Sequence, residues 1–128
     1  MAKRAAHVTE AELAVLEVLW DRGPTSAREI TERLYPRGEP ADVATVQKLL
    51  QRLERKGFVS RDRGERVHQF SAAIARKEFA GQQLSGLAEK LSGGSLTPLL
   101  VHLVESNRLS SRELDELRTL LGSHKRRS

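Results

Sequence analysis

Apolar residues recur at helical spacing in six stretches of the chain, with an alternating stretch between the third and fourth. The first begins at Thr9 and carries Leu13, Leu16, Val18, Leu19 and Trp20 on a broad face, ending at Asp21-Arg22-Gly23-Pro24. Thr9 and Glu12 have capping-box spacing, in which each side chain satisfies a backbone N–H in the other's turn. Ser26 and Glu29 repeat that spacing and open a second helix, which buries Ile30 and Leu34 and stops at Tyr35-Pro36-Arg37-Gly38. Pro40 predicts an extended lead-in, and Asp42 the N-cap of a third helix. Val43, Val46, Leu49, Leu50 and Leu53 share one face of it, and Lys56-Gly57 closes it with a glycine suited to a left-handed turn. Phe58-Val59-Ser60-Arg61 and Val67-His68-Gln69-Phe70 then read as two strands, turning around Gly64.

The composition changes after Ser71. A helix from about Ala75 to Leu91 is followed by a Ser92-Gly93-Gly94-Ser95 break and a short apolar helix from Leu96 to Val104. Ser110 and Glu113 form a third capping box before Leu114, Leu117, Leu120 and Leu121. These helices have apolar faces but too little mass for a core of their own, so a partner chain is expected to cover them. Phe79, Leu84, Leu87, Leu91, Leu99, Leu100, Leu103, Leu114, Leu117 and Leu121 are the expected dimer-interface residues. The alternative is that the helices fold back within a monomer. The fold class is thus mainly α with a small β-hairpin. Its expected parts are a flexible N-terminal arm at 1–8, a winged helix-turn-helix at 9–72, a helical dimerisation region at 75–121 and a basic tail at 122–128.

Charge sharpens the picture. Between Lys48 and Arg66 there are seven Lys or Arg against three acids, an excess close to the whole chain's +5. That concentration on a helix and hairpin points to double-stranded DNA, with the third helix in the major groove and the wing on the flanking backbone. Ala44, Thr45, Gln47 and Lys48 lie early on the helix, opposite the core, and are the candidate base contacts. Thr45 has a hydroxyl and a methyl, Gln47 suits adenine, Lys48 suits a guanine edge or a phosphate, and Ala44 permits close approach. Ser26, Arg28, Gln51, Arg52, Arg55, Arg63 and Arg66 are the candidate backbone contacts. A protein-interaction winged helix and a non-specific DNA binder are the rivals to specific DNA reading.

The remaining chemistry narrows the classes. The chain has no cysteine, which excludes disulfides, cysteine-ligated zinc and thiol redox sensing. His7, His68, His102 and His124 are scattered and form no catalytic or metal-ligand motif, so neither an enzyme nor a cofactor is expected. The N-terminal residues lack a signal-peptide core, and no apolar run approaches the ~18 residues of a membrane span. A soluble, cytoplasmic protein without a membrane partner is the expectation.

The order of these pieces resembles the penicillinase-repressor family, which also includes copper-responsive repressors. The resemblance rests on VTEAELAVLEVLW at 8–20, TSAREITERL at 25–34, VATVQKLLQRLERKGFV at 43–59 and GGSLTPLLVHLVESNRLSSRELDELRTLL at 93–121. It implies a homodimer that binds a pseudo-palindromic promoter operator and represses it. In antibiotic-responsive members a membrane sensor triggers cleavage at an Asn-Phe bond in the apolar tail helix. His102 and Leu103 stand at that position here, a departure from the pattern. The resemblance therefore offers His102-Leu103 as a candidate cleavage position and a sensor-linked protease as a candidate partner. The cysteine pairs of copper-responsive members are absent.

Overall fold

The computed structural model describes residues 7–127. The first six residues of the expected arm, and Ser128, lie outside them. The helices are α1 (Glu10–Arg22), α2 (Ala27–Leu34), α3 (Pro40–Arg55), α4 (Arg76–Ser92), α5 (Thr97–Glu105) and α6 (Ser111–Arg127), with strands β1 (Val59–Asp62) and β2 (Gln69–Ala72) between α3 and α4. The chain divides into two compact units, Met1–Leu84 and Ser85–Ser128, so α4 begins in one and ends in the other.

In the first unit α1, α2 and α3 enclose a core that the hairpin completes. Val15, Leu16, Val18 and Leu19 of α1 meet Ile30 of α2 and Val46, Leu49, Leu50 and Leu53 of α3. The expected Leu13 and Trp20 are only half-buried, packed at the margin. Thr9 caps α1 as expected: its Oγ1 accepts from the Glu12 N–H at 3.1 Å, and Glu12 Oε1 accepts from the Thr9 N–H at 2.9 Å.

The start of α3 differs from expectation. Glu39 is the N-cap, Pro40 occupies the first turn and Asp42 sits three residues in, its carboxylate accepting from the Glu39 N–H at 3.2 Å. Proline suits that first position because its fixed φ is helical and its missing N–H would have had no partner there. The far end follows expectation. Gly57 adopts φ +84°, the Phe58 N–H donates to the Leu53 carbonyl at 3.0 Å and the Gly57 N–H to the Glu54 carbonyl at 3.1 Å. This double closure also commits the Phe58 amide, so β1 begins one residue later than expected.

The strands pair antiparallel, Val59 opposite Ala72 and Asp62 opposite Gln69. Val67 and His68 stay in the turn instead of opening the second strand. A third, one-residue strand joins them: Thr25, between α1 and α2, exchanges two backbone hydrogen bonds with Phe70 at 3.0 and 2.9 Å.

Phe79, expected at a subunit interface, is buried inside the protomer. Its ring lies 5.4 Å from that of Trp20 and 5.3 Å, edge-on, from that of Phe58. The first turn of α4 is held there by Trp20 Nε1, which donates to the Ile74 carbonyl at 2.9 Å, and by Arg76, which stacks over the Trp20 ring. Beyond the two left-handed glycines Gly93 and Gly94, α5 is capped by Ser106 and followed by Asn107 at φ 56°, a residue able to take that conformation. Ser110 and Glu113 make the expected reciprocal cap of α6. That helix continues to Arg127, through the segment expected to be a tail.

One ion pair with a buried carboxylate joins the start of α1 to the end of α3. Glu12, 1% exposed, receives Lys56 Nζ at 2.9 and 2.8 Å, and the same ammonium donates to the His7 carbonyl at 2.7 Å. His7 and Val8 are therefore fastened to the body, in contrast to the expected free arm; Val8 packs on the core. Burial pushes the Glu12 carboxyl up, but the hydrogen bonds from Lys56 and Thr9 and the Lys56 charge together bring it below the ordinary value. A depressed folded value stabilises the fold above the unfolded carboxyl's range and is lost as pH falls through the folded value. Stability is expected to drop on acidification below pH 4.5, and Glu12→Gln to flatten that limb of a chemical-denaturation series followed by Trp20 fluorescence. Lys56→Met strands the carboxylate and is expected to lower stability by about 3 kcal/mol, the lower end for a broken buried pair because Lys56 keeps some water. Phe79→Ala is expected to destabilise each protomer by about 3–5 kcal/mol. A loss of subunit association without a change in protomer stability would return Phe79 to the interface.

Candidate nucleic-acid interface

The 3.6-residue period of α3 divides its surface cleanly. Val46, Leu49, Leu50 and Leu53 are buried, whereas Ala44, Thr45, Gln47, Lys48, Gln51, Arg52 and Arg55 are all exposed. The outward side chains thus form one continuous polar face, and four of the seven candidate backbone contacts lie elsewhere, on α2 and the wing. Thr45 is more constrained than its sequence position suggests. Its hydroxyl donates to the Ala41 carbonyl at 2.9 Å, leaving its oxygen lone pairs and its methyl to meet a base.

A groove of about 510 Å³ joins the three elements. Ser26, Ala27 and Arg28 line it from α2 and its cap, Gln47 and Gln51 from α3, and Arg61, Arg66, Val67, His68 and Phe70 from the hairpin. Sequence reasoning named five of these residues and missed Val67, whose side chain is 57% exposed despite being aliphatic. Ser26 is on the groove wall but spoken for. It is 5% exposed, accepts from the Glu29 N–H at 3.2 Å and donates to Glu29 Oε1 at 3.1 Å. Its hydroxyl is used to start α2. Arg28 is free to move, paired only loosely with Glu32 across one turn at 3.6 Å.

The seven basic residues of the cluster fall into two groups. Lys56 is committed to Glu12, and Arg61 to Glu54 of α3. The Arg61 guanidinium lies 4.8 Å above the Phe70 ring and donates to Glu54 Oε1 at 3.0 Å. Its Nε is buried with no hydrogen-bond partner among the described residues. Such an unmade bond costs about 1–3 kcal/mol, so the ion pair and the stack must outweigh it for the side chain to stay in place. Lys48, Arg52, Arg55 and Arg66 make no ion pair among the described residues, and Arg63 approaches Glu54 Oε2 only at 4.0 Å with its side chain 67% exposed. These five cations are available to an external anion. At the wing tip, Asp62 Oδ1 accepts from the Gly64 N–H at 2.8 Å, which ties the turn that carries Arg63.

No group of three or more histidine or acidic side chains converges on a common point among the described residues. No described helix is long and apolar enough to cross a membrane.

A family profile described as penicillinase repressor matches residues 8–123. The transcriptional regulator BlaI of Mycobacterium tuberculosis is 38% identical over 112 residues, spanning 86% of this chain and 79% of that one. A penicillinase repressor of Staphylococcus aureus is 26% identical over 121 residues, spanning 94% of this chain and 95% of its own. Among solved structures, apo MarR from E. coli is a looser likeness, with a TM-score of 0.48 and 21% identity over 91% of this chain and 77% of that one. With a profile match across nearly its whole length and relatives matched over 79 and 95% of their own length, this chain belongs to the penicillinase repressor family, whose members are transcriptional repressors and not enzymes.

Proposed function

We propose that the protein is a transcriptional repressor that binds a pseudo-palindromic promoter operator as a homodimer. The observation that carries this reading is the α3 surface: a buried aliphatic face backed by an unbroken exposed face of Ala44, Thr45, Gln47, Lys48, Gln51, Arg52 and Arg55. Lys48 and Gln47 meet base edges in the major groove, with the Thr45 methyl against thymine. Arg52, Arg55 and Arg28 neutralise phosphates, and Arg63 and Arg66 carry the wing onto the adjacent backbone. Repression follows from occupancy, because a promoter held by the dimer is closed to other proteins.

Dimerisation is supported by the apolar side chains that the single chain leaves in water. Leu84, Leu87 and Leu91 share a face of α4 at 46, 46 and 65% exposure, and Leu120 and Leu121 of α6 stand at 63 and 65%. Leu100 and Leu103 of α5 are exposed as well, while Leu99 and Leu114 are half-covered. Apolar area of this extent favours association, and a second copy offers the same faces. A sensor-linked protease acting on this chain would find the His102–Leu103 bond inside α5, with the His102 carbonyl accepting from the Ser106 N–H at 2.9 Å. Cleavage there requires the end of α5 to unwind first.

Three substitutions test the reading. Lys48→Ala should lower the preference for a duplex selected from a random pool by roughly tenfold or more, in line with about 1–3 kcal/mol per base contact. Arg63→Ala should weaken selected and random duplexes alike and make the salt dependence shallower, by about 1 in slope for each phosphate that Arg63 neutralises. Equal losses on both duplexes for Lys48→Ala would remove it from base reading. Leu103→Asp places a charge in the proposed subunit seam and should sediment as a monomer. An intact dimer would move the interface off α5.

A further inference from the structure

Glu54, in the last turn of α3, faces two arginines of the hairpin. One oxygen of its carboxylate holds Arg61 of β1 at 3.0 Å, and the other faces Arg63 of the wing turn at 4.0 Å. The two cations are held very differently. Arg61 is 19% exposed, stacked on Phe70 and fixed, whereas Arg63 is 67% exposed and loosely tethered. Glu54 itself is half-buried, so its charge acts at short range with limited screening.

We infer that Glu54 is a positioning residue for DNA recognition: through Arg61 it fixes the pose of the wing against the recognition helix, and it holds Arg63 as an exchangeable cation that a DNA phosphate takes over on binding. The inference rests on the DNA-binding reading proposed above. The strong contact to the fixed Arg61 survives binding, and the long contact to Arg63 is the one that breaks. A backbone phosphodiester carries the same single charge as the carboxylate, but it offers both free oxygens within the summed field of the duplex. Glu54 spends one oxygen on Arg61 and leaves the other 4.0 Å from Arg63, so the transfer runs toward DNA. The acid thereby lowers the pull of Arg63 on any phosphate, and through Arg61 it keeps the wing aligned for the register in which α3 also meets its bases. Discrimination between sequences, and not gross affinity, is what the carboxylate controls.

The test compares Glu54→Gln with Glu65→Gln, which removes an equal charge from the exposed wing turn without touching Arg61. In the free full-length protein, Glu54→Gln should speed amide hydrogen exchange across Val59–Asp62 and Gln69–Ala72 by about tenfold, and Glu65→Gln should not. With DNA, the probes are a random-sequence duplex and a duplex selected by the unaltered protein from a random pool. Glu54→Gln should bind the random duplex at least as tightly as the unaltered protein, yet discriminate several-fold less between the two, whereas Glu65→Gln should shift both together. Unchanged wing exchange in Glu54→Gln overturns the positioning role. Discrimination matching that of Glu65→Gln overturns its consequence for recognition. Failure of the unaltered protein to bind either duplex sinks the DNA reading instead, and the exchange result still decides whether Glu54 fixes the wing.

Discussion

The carboxylate of Glu12 is nearly sealed from water where the start of α1 meets the end of α3, and the fold depends on how that charge is satisfied. Two structural decisions meet at it. Its Oε1 completes the capping box that starts α1, and the ammonium of Lys56, one residue past α3, supplies the countercharge. A buried ion tolerates neither partner's absence, because the survivor keeps its desolvation penalty and loses its compensation. The ends of two helices far apart in the chain are therefore fixed by one contact. Gly57 then turns the chain immediately away, into the hairpin.

That commitment changes the meaning of the basic cluster. Along the chain, seven cations between Lys48 and Arg66 look like a single DNA-binding charge. In space, Lys56 holds α1 and Arg61 holds the wing to α3 and Phe70, so two of the seven are structural. The five that remain lie on the outward face of α3 and on the wing turn. The same side-chain chemistry thus does two jobs, sorted by whether an acid stands within reach. Glu54 and Glu12 are the acids that do the sorting.

Much of the fold was legible from residue spacing. The Thr9–Glu12 and Ser110–Glu113 boxes, the core face of α3 and the Gly57 closure are local patterns whose causes lie within a few residues of each other. The start of α3 was misplaced because Asp42 suits both an N-cap and a position one turn further in; the proline at the first position is what decides between them. Phe79 shows a different limit. Periodicity says that a residue is on an apolar face but not what covers it, and Trp20 and Phe58 cover this one. The Thr25–Phe70 bridge has no period at all, since a single pair of residues carries it. At the interface, the exposed face of α3 was read correctly as a surface, while the burial of Ser26 and the internal use of Arg61 and of the Thr45 hydroxyl depend on the folded surroundings of each side chain.

Phe70 shows what such convergence means for change over time. Its backbone joins Thr25 and Arg61, its ring supports the Arg61 guanidinium, and its side chain is part of the core. The residues from Arg63 to His68, just before it, are all exposed and pair with nothing across the sheet. A lineage can therefore lengthen, shorten or re-letter that turn without disturbing the packing beneath it, whereas Phe70 offers almost no neutral neighbours. The architecture separates a tip that is free to change from a foot that is not, so new target preferences are open to it by small steps that leave folding intact.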